Sequence, residues 1–472
     1  MAKPIPFVGP PGQRDVSNFD QRFVNVLFEV EKNANPAQYP INCVKRPGLS
    51  SSTQPFGGAA TGRGIYYWAA TGKIYSVFGT STYANASTLV STMATSSGRV
   101  WFAESNVLSG NQLLYISDGL DNYVITSTDV VTQVDESDDA QYPTPNTGPI
   151  VYLDGYLFQG QSNGKLWNSG LNASSSWLAA DFVPVDTHGG ALEAHLLQKD
   201  QIAAFTKNRV EFFFNNGNPT NSPLLRIDQN TLGFGIASKA SLAWAGETAC
   251  FVSENSANGD GGRSVYMMQS LQNVKEISDP PLNRILAAEG PSISSCSAWM
   301  ERLSGHLVYC LNLASADRSF VYDIEAGMWS EAESATSTRL NLVSATSKDG
   351  TVFAQHATDG RIYTFQPTVY QDNGTNFEVV LQTSRSNFGS HLKKYETELG
   401  LVGDTTLGNV TVAVSDNDYS SFTNVGTIDM SNQQKYCTRL GSFYSRAHKF
   451  TYASTSTFRV QAWLPEIKQG IG

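Results

Sequence analysis

The chain has 472 residues, of which 40% are hydrophobic and 16% are charged, so it can bury a core and is not a disordered segment. Its formal net charge of −10 argues against tight binding to DNA, because proteins that grip nucleic acid present Lys and Arg to the phosphates. The five cysteines are scattered without a CxxC pair, which predicts neither a disulfide framework nor a zinc site.

The first residues, MAKPIPFVGPPGQRD, contain too much Pro and Gly for a signal peptide. No apolar run in the sequence approaches the roughly 18 residues that a membrane span needs. We therefore expect a soluble protein without a secretion signal. Residues 1–54 are predicted to form an N-terminal arm, with strands around VNVLFEVE ahead of the turn VKRPGL.

Between residues 55 and 370, apolar and polar residues alternate over runs of about 4 to 8 residues that end in turn signals. Seven segments, roughly 40 to 55 residues apart, share one layout of strand, polar turn and aromatic-containing strand. They occupy residues 63–78, 113–126, 155–169, 200–214, 248–268, 305–323 and 350–365. This period is close to that of a four-stranded propeller blade, so we predict a β-propeller, with a long β-sandwich as the alternative.

Four of these segments contain nearly the same phrase: TGKIYSV (71–77), NGKLWNS (163–169), GGRSVYMM (261–268) and DGRIYTF (359–365). The glycine is predicted to make a hairpin turn, and the apolar and aromatic residues after it to pack between neighbouring blades. Residues 282–289, LNRILAAE, predict a short helix. The stretch LEAHLLQKDQIAAF, followed by NRVEFFF, is instead interpreted as strands with a turn at Lys207–Asn208.

Residues 129–149 are first acidic and then rich in turn residues, which predicts an exposed loop or insertion. We interpret four of its acidic residues as a candidate acidic channel surface or exposed loop: Asp135, Glu136, Asp138 and Asp139. From residue 371 to 472 the predicted strands become longer, which indicates a C-terminal β-sandwich-like domain after the propeller of residues 55–370.

Motifs that carry catalysis are scarce. The sequence has no GxSxG, HExxH or Walker motif, and the GFG at 233–235 is a weak signal. The six histidines are scattered, and HGGALEAH (188–195) places two of them without the carboxylates of a metal site. The glycine-rich NGDGGRS (258–264) is interpreted as a turn rather than a calcium loop. We therefore expect no enzyme activity, no cofactor and no bound metal.

Two acidic patterns have both a structural and a functional interpretation. SDNDYSSF (415–422) resembles a degraded Asp-box hairpin, in which Asp416 and Asp418 could hold calcium. A polar hairpin fits better, because the Gly and the distal Glu of a calcium loop are missing. Glu396 and Glu398 alternate along a predicted strand, as a general acid and base would. Solvent-exposed strand residues do the same far more often, and we expect such residues here.

Several phrases, taken in order, resemble one family: the packaged-DNA stabilisation or tail-hub (nozzle) proteins of short-tailed bacteriophages. They are RFVNVLFE, KRPGL, GRGIYY, SGRV (97–100), LLQKDQIAAFTKNRVEFF, the long run from GFGIASKASL to GGRSVYMM, HLVYCLNL with SFVYD and MWSE, and the C-terminal run from YETELGLVG to RAHKFTY. One departure is that RLGSFYSRAHKF replaces a strand of clustered arginines. This chain spreads Arg439, Arg446 and Lys449 apart, which puts a partner contact based on clustered arginines in doubt.

The resemblance implies a non-enzymatic virion component with a β-propeller that is usually described as six-bladed. Because this sequence has seven hairpin segments, we expect either six or seven blades. It also implies a hexameric ring in the virion tail, below the portal and adaptor, after assembly in the cytoplasm of the bacterial host. Such a ring continues the DNA channel, retains the packaged genome and docks tail fibres, spikes or a plug. We expect DNA to pass an acidic wall without tight binding, because like charge adds little friction. The alternatives are a carbohydrate-binding or glycan-processing β-propeller and a host scaffold that binds peptides.

Overall fold

The structure is a computed structural model that describes residues 4–8, 21–30, 41–53, 58–85, 87–90, 92–105, 112–185, 190–218, 220–254, 262–270 and 273–470. Regular structure in these residues is mainly β-strand, which confirms the all-β prediction. The predicted short helix is confirmed as α1 (Pro280–Ala288). It begins after Asp279, whose side chain accepts a hydrogen bond from the backbone N–H of Leu282. None of the described helices is long and apolar enough to cross a membrane.

Short strands come before the propeller in the sequence and join sheets that later parts of the chain build. They are β1 (Ile5–Pro6), β2 (Arg22–Val24), β3 (Val26–Glu29), β4 (Asn42–Lys45) and β5 (Gly48–Thr53).

Six propeller blades, numbered 1 to 6, are each built from strands that follow one another in the sequence. Blade 1 contains β6 (Gly62–Trp68), β7 (Lys73–Phe78), β8 (Ser81–Ala84) and β9 (Ser87–Val90). Blade 2 contains β10 (Trp101–Glu104), β11 (Leu113–Ser117), β12 (Asn122–Thr126) and β13 (Val131–Val134). Blade 3 contains β14 (Asn146–Leu153), β15 (Tyr156–Gln161), β16 (Lys165–Gly170) and β17 (Ala173–Pro184).

The next three blades continue in the same order. Blade 4 contains β18 (Leu192–Gln198), β19 (Gln201–Thr206), β20 (Val210–Asn215) and β21 (Leu224–Arg226). Blade 5 contains β22 (Gly235–Ile236), β23 (Ala243–Ala245), β24 (Thr248–Glu254), β25 (Val265–Ser270) and β26 (Asn273–Glu276). Blade 6 follows α1 and contains β27 (Ser297–Leu303), β28 (His306–Leu313), β29 (Arg318–Asp323) and β30 (Met328–Glu331). The 3₁₀ turns are Asp228–Asn230, Lys239–Ser241 and Gly290–Ser295.

A composite blade 7 closes the ring. It contains β31 (Leu342–Lys348), β32 (Thr351–His356) and β33 (Ile362–Gln366), and the N-terminal strand β5 completes it. Strand β5 pairs antiparallel with β33, with Leu49 opposite Phe365. Ile65 and Ile74 of blade 1 share an apolar cluster with Ile362 of blade 7, so the last blade packs on the first. The propeller prediction is therefore confirmed, and each of the seven predicted segments supplies a hairpin to a different blade.

The recurring phrase packs as predicted, with one refinement. Successive strand residues point to opposite faces of a sheet, so its apolar residue and its aromatic residue contact different neighbouring blades. Ile74 lies in the cluster between blades 7 and 1, while Tyr75 lies in the cluster between blades 1 and 2. In the same way, Leu166 packs towards blade 4 and Trp167 towards blade 2. One pair of residues therefore fastens a blade on both sides.

The C-terminal region begins with β34 (Gln371–Asp372) and β35 (Thr375–Asn376), which continue the sheet of blade 7 beyond β5. The strands after them form two sheets that also take in N-terminal strands. They are β36 (Val379–Gln382), β37 (Lys394–Gly403), β38 (Asn409–Ser415), β39 (Thr423–Asp429), β40 (Tyr436–Thr438), β41 (Ser442–Phe443), β42 (Ala447–Tyr452) and β43 (Arg459–Gln469). One sheet has the order β3-β4-β43-β37-β40. The other runs β2-β36-β42-β38-β39 and is continuous with blade 6, because β2 pairs with β30.

The two C-terminal sheets share an apolar core with the arm. Phe28 and Cys43 from the arm lie in one cluster with Leu399, Phe450 and Trp463 from the C-terminal strands. We call this pair of sheets the sandwich. The domain limits expected after residues 54 and 370 stay a prediction, and the arm strands pair with both the propeller and the sandwich.

Candidate functional site

Side chains span the centre of the propeller. Arg99 precedes β10, the innermost strand of blade 2, and its Nη1 donates hydrogen bonds to the carbonyl oxygens of Ala240 (3.3 Å) and Leu242 (2.8 Å). Both carbonyls belong to blade 5, three positions further round the ring. Arg99 is half-buried, and removal of its guanidinium from water lowers the pKa of Arg99 to about 10.

Two indoles continue this axial bridge. The Trp101 and Trp244 rings, from blades 2 and 5, stack with centroids 6.2 Å apart and planes 4° apart, and the Arg99 guanidinium lies 4.2 Å from the Trp101 centroid. Lys239 of blade 5 donates from Nζ to the carbonyl oxygen of Thr147 in blade 3. The axis of a single propeller is therefore occupied by side chains and offers no passage to a DNA duplex.

The phrases RFVNVLFE and KRPGL meet at the junction of the propeller and the sandwich. Asn25, at φ 59°, accepts hydrogen bonds at Oδ1 from Nε of Arg46 (2.8 Å) and from the backbone N–H of Glu333 (3.0 Å). Its Nδ2 donates to the carbonyl oxygen of Glu378 at 2.7 Å. One buried amide thus joins the arm, the end of blade 6 and the start of the sandwich.

Arg46 is the second centre of this junction. Its Nη1 and Nη2 donate to the two carboxylate oxygens of Asp372 at 3.0 and 2.6 Å, and its guanidinium lies 3.8 Å from the Phe377 ring centroid. Gly48 follows in the same turn, where a Cβ would overlap the backbone of Gln371. The Pro-Gly phrase therefore marks a close approach of two backbones.

Lys45 and Glu331 extend the junction. The Lys45 ammonium donates to the carbonyl oxygen of Ser454 at 2.6 Å and lies 4.3 Å from the Phe377 centroid, and burial lowers its pKa to about 8. The Glu331 carboxylate accepts hydrogen bonds from Arg22 (2.9 and 2.8 Å) and Arg318 (3.2 and 2.5 Å). These contacts tie the arm to the outermost strand of blade 6.

The sandwich contains a buried ionic cluster at a position that we expected to be exposed. Glu396 is 2% exposed, and its carboxylate contacts Nη1 of Arg446 and Nε2 of His448, each at 3.0 Å. The exposed prediction is therefore wrong for Glu396. A register shift of β37 between Glu396 and Glu398 interrupts the alternation on which that prediction depended.

The carboxylates of SDNDYSSF are held by arginines. This segment connects β38 to β39 as the predicted hairpin, and both carboxylate oxygens of Asp416 accept from Arg446 at 2.8 Å. Asp418 pairs with Arg385. Arg446, one of the spread-out basic residues, is thus an internal residue rather than a partner contact.

No group of three or more His, Cys, Asp or Glu side chains with the geometry of a metal site occurs in the described part of the chain. Residues 258–261 of the predicted glycine-rich turn and His188 of HGGALEAH lie outside the described residues. The weak GFG signal has a packing explanation, because a Cβ on Gly235 would overlap the backbone of Thr206 and Lys207. A close approach of blades 4 and 5 therefore requires this glycine.

The four predicted acidic residues lie together in the loop between β13 and β14, that is, between the outermost strand of blade 2 and the innermost strand of blade 3. Glu136 and Asp138 are exposed, and Asp135 and Asp139 are half-buried. Asp139 accepts a hydrogen bond from the backbone N–H of Trp177 on β17, the outermost strand of blade 3, at 2.8 Å. The loop is thus on the rim of the propeller, away from the axial bridge.

Sequence reasoning missed the axial bridge and the ionic centres, although phrases quoted for the family resemblance contain several of these residues. SGRV contains Arg99, KRPGL contains Arg46, and RFVNVLFE contains Asn25. Their side chains pair with residues far away in the sequence, so composition and periodicity could not indicate their role.

Solved structures with similar arrangements include virginiamycin B lyase from Staphylococcus aureus, with 10% identity, a TM-score of 0.45 and coverage of 67% of this chain and 98% of that chain. Another is the WD40 β-propeller domain of Doa1, with 11% identity, a TM-score of 0.39 and coverage of 68% and 98%. No curated protein matches the chain. The model of the family described as "Bacteriophage P22 Gp10, beta-propeller" matches residues 7–370. The chain therefore belongs to the bacteriophage P22 Gp10 β-propeller family and is a phage structural protein.

Proposed function

We propose that this protein is the tail hub, or nozzle, of a short-tailed phage. Copies form a ring, most simply a hexamer, below the portal and the adaptor. The ring extends the DNA channel, helps to retain the packaged genome and presents docking surfaces to a fibre, spike or plug protein. Its place is the virion tail, after assembly in the cytoplasm of the bacterial host. The observation that carries this proposal is the family match over residues 7–370.

The axial bridge bears on how such a ring would conduct DNA. Because Arg99, Trp101 and Trp244 span the propeller axis, the passage has to lie between copies rather than through one of them. Propellers then act as rigid sectors around a shared lumen. This geometry requires a fold that keeps its shape under load, and the closed blade 7 and the buried junction of Arg46 with Asp372 favour that rigidity.

The charge of the chain suits a conduit. A net charge of −10 disfavours adhesion of phosphates to the wall, whereas a lysine-rich wall would bind them. We propose that DNA passes without tight or sequence-specific binding, and that the acidic loop of residues 135–139 on the propeller rim is an exposed loop rather than part of the channel wall.

A non-catalytic role is part of the proposal. In the two acidic patterns that were considered for catalysis or ion binding, Glu396 and Asp416 pair with Arg446, and Asp418 forms an exposed pair with Arg385. A carboxylate that neutralises a guanidinium is not available as a general acid or calcium ligand without breaking that pair. This pairing supports a structural use of both motifs.

Phage particles produced without this protein test the proposal. In such particles the packaged DNA should be accessible to added nuclease. Addition of the purified full chain should restore protection of the DNA and infectivity of the particles. A variant that carries Glu396→Gln and Arg446→Met, and whose sandwich is therefore less stable, should restore less nuclease protection and less infectivity than the wild-type chain. Particles that retain their DNA and infect normally without the chain would contradict the proposed role, as would glycan hydrolysis by the purified protein.

A further inference from the structure

The far side of the sandwich carries an exposed patch that is aromatic and basic, in a chain that is acidic overall. Tyr395 is 47% exposed, Tyr444 is 63% exposed and Leu392 is 47% exposed. We call the following residues the aromatic–basic patch: Leu392, Lys393, Tyr395, Arg439, Tyr444 and Lys468. Tyr and Arg are enriched in the centres of protein interfaces, because they bury a large area and still donate hydrogen bonds.

Strand pairing places these residues side by side. Tyr395 on β37 lies directly opposite Lys468 on β43 and opposite Ser442 on β41, two residues before Tyr444. The backbone N–H of Arg439 donates to the carbonyl oxygen of Thr397 on the same β37 strand. Lys393, Arg439 and Lys468 are exposed and form no ion pair with another described residue, so this surface presents three cations to solvent.

The rim between blades 2 and 3 is acidic instead. The carboxylates of Asp135, Glu136, Asp138 and Asp139 likewise form no ion pair with a described residue. Asp139 holds the backbone of Trp177, and the next residue, Leu178, is 59% exposed. Register shifts in the pairing of β16 with β17 bulge this segment outwards. We call these four acids with Leu178 the acidic rim.

One copy cannot bring the two surfaces together. The sandwich is attached to blade 6 through β2 and to blade 7 through the junction of Arg46 with Asp372, and β37 is the strand next to the far edge of its sheet. The acidic rim, between blades 2 and 3, lies two to three blades away from these attachment points around the ring. Contact of the two surfaces therefore requires a second copy.

We propose that the aromatic–basic patch of one copy docks on the acidic rim of the next copy. This inference rests on the proposed ring, and it names the contact that builds it. A contact between two different surfaces is heterologous and closes into a ring when the rotation per copy fits. Tyr395 and Tyr444 supply apolar area against Leu178, while the cations of the patch and the carboxylates of the rim set the register and exclude other orientations.

Charge-reversal variants test the contact. In the full chain, Lys393→Glu with Lys468→Glu should raise the concentration needed for ring formation by about tenfold or more, because like charges then face each other. A partner variant with Glu136→Lys and Asp138→Lys should restore assembly when mixed with it. Lys207→Glu with Lys275→Glu is the matched control, since it changes the net charge equally on blades 4 and 5 and should assemble as the wild type does. Ring formation with portal and adaptor is followed by light scattering and electron microscopy.

A second measurement does not depend on charge reversal. All five native cysteines are buried. Two single variants, Lys468→Cys and Asp138→Cys, are prepared separately, and each then has one accessible thiol. A short bifunctional thiol reagent should link the two variants when they are mixed in wild-type-like rings. Normal assembly of the Lys393→Glu, Lys468→Glu variant together with no cross-link overturns the contact while leaving the ring intact. Loss of assembly that the reversed acids fail to rescue also overturns it. Failure of the wild type to form any ring removes the proposed function and this contact together.

Discussion

Arg46 donates hydrogen bonds of 3.0 and 2.6 Å to the carboxylate of Asp372, although the two residues are 326 positions apart in the sequence. Arg46 lies between β4 of the sandwich and β5 of blade 7, and Asp372 belongs to β34, which continues the sheet of that blade beyond β5. Asp372 Oδ1 also accepts from the backbone N–H of Leu49 at 3.2 Å. This pair therefore holds the strand that closes the propeller and ties it to the sandwich.

Loss of one partner of this pair should be costly. Asp372→Asn leaves the buried Arg46 guanidinium without its counter-charge, and we expect the free energy of unfolding to fall by about 3–5 kcal/mol. Glu325→Gln is the control, because the Arg302–Glu325 pair is largely exposed and should contribute less than about 1 kcal/mol. Urea unfolding followed by tryptophan fluorescence measures both. Equal effects of the two substitutions would contradict the role of the junction.

The two glycines of GFG offer a matched pair. Gly235→Ala places a Cβ against the backbone of Thr206 and Lys207, which cannot move without separating blades 4 and 5, so we expect a loss of about 3 kcal/mol or more. Gly233→Ala meets no atom within 4 Å and should change stability by less than about 0.5 kcal/mol. Thermal unfolding of the two variants separates these outcomes. A tolerated Gly235→Ala would mean that the blades do not approach so closely.

Glu396 and Glu398 provide a second matched pair. Glu396→Gln removes the charge that Arg446 and His448 share in the interior of the sandwich, and we expect a loss of about 3–5 kcal/mol. Glu398→Gln changes a half-buried residue without an ion pair in the described residues and should cost less than about 1 kcal/mol. Denaturant titrations at one pH test this difference. A larger loss for Glu398→Gln than for Glu396→Gln would contradict the stabilising role of the buried Glu396 carboxylate.

His306 should make stability depend on pH. Its Nδ1 lies 2.7 Å from the buried carboxylate of Asp323, and this hydrogen bond raises the pKa of His306 above 6.5. Because the folded pKa exceeds the unfolded value, the stabilisation is complete below about pH 6.5 and declines as the pH rises through the folded pKa. The difference in unfolding free energy between the wild type and His306→Asn should therefore shrink from pH 6 to about pH 9. A difference that does not vary with pH would show that folding leaves the pKa of His306 unchanged.

Local sequence patterns predicted most of the propeller. Each hairpin segment needs only a turn glycine such as Gly164 or Gly360, both at positive φ, and alternating strands on either side. Ile74 and Tyr75 then pack on opposite faces because strands have a period of two. These features are determined within about 20 residues, so the sequence alone could indicate them.

Long-range pairing was beyond the sequence patterns. Nothing in the alternation of β5 predicts that Leu49 pairs with Phe365, or that Arg99 reaches Leu242 across the axis. The burial of Glu396 was missed for a different reason. A one-residue irregularity between Glu396 and Glu398 breaks the alternation of β37, so the prediction that these two side chains share one exposed face does not hold. Ionic partners that are 50 or more residues apart, such as Arg446 for Glu396, leave no local signal.

The most direct test is electron microscopy of the purified chain mixed with the portal and adaptor of its phage. We predict a ring of this protein on the adaptor, with each propeller as one sector and the lumen between copies. Rings in which DNA density runs through the axis of an individual propeller, or portal–adaptor complexes that never bind this chain, would contradict it.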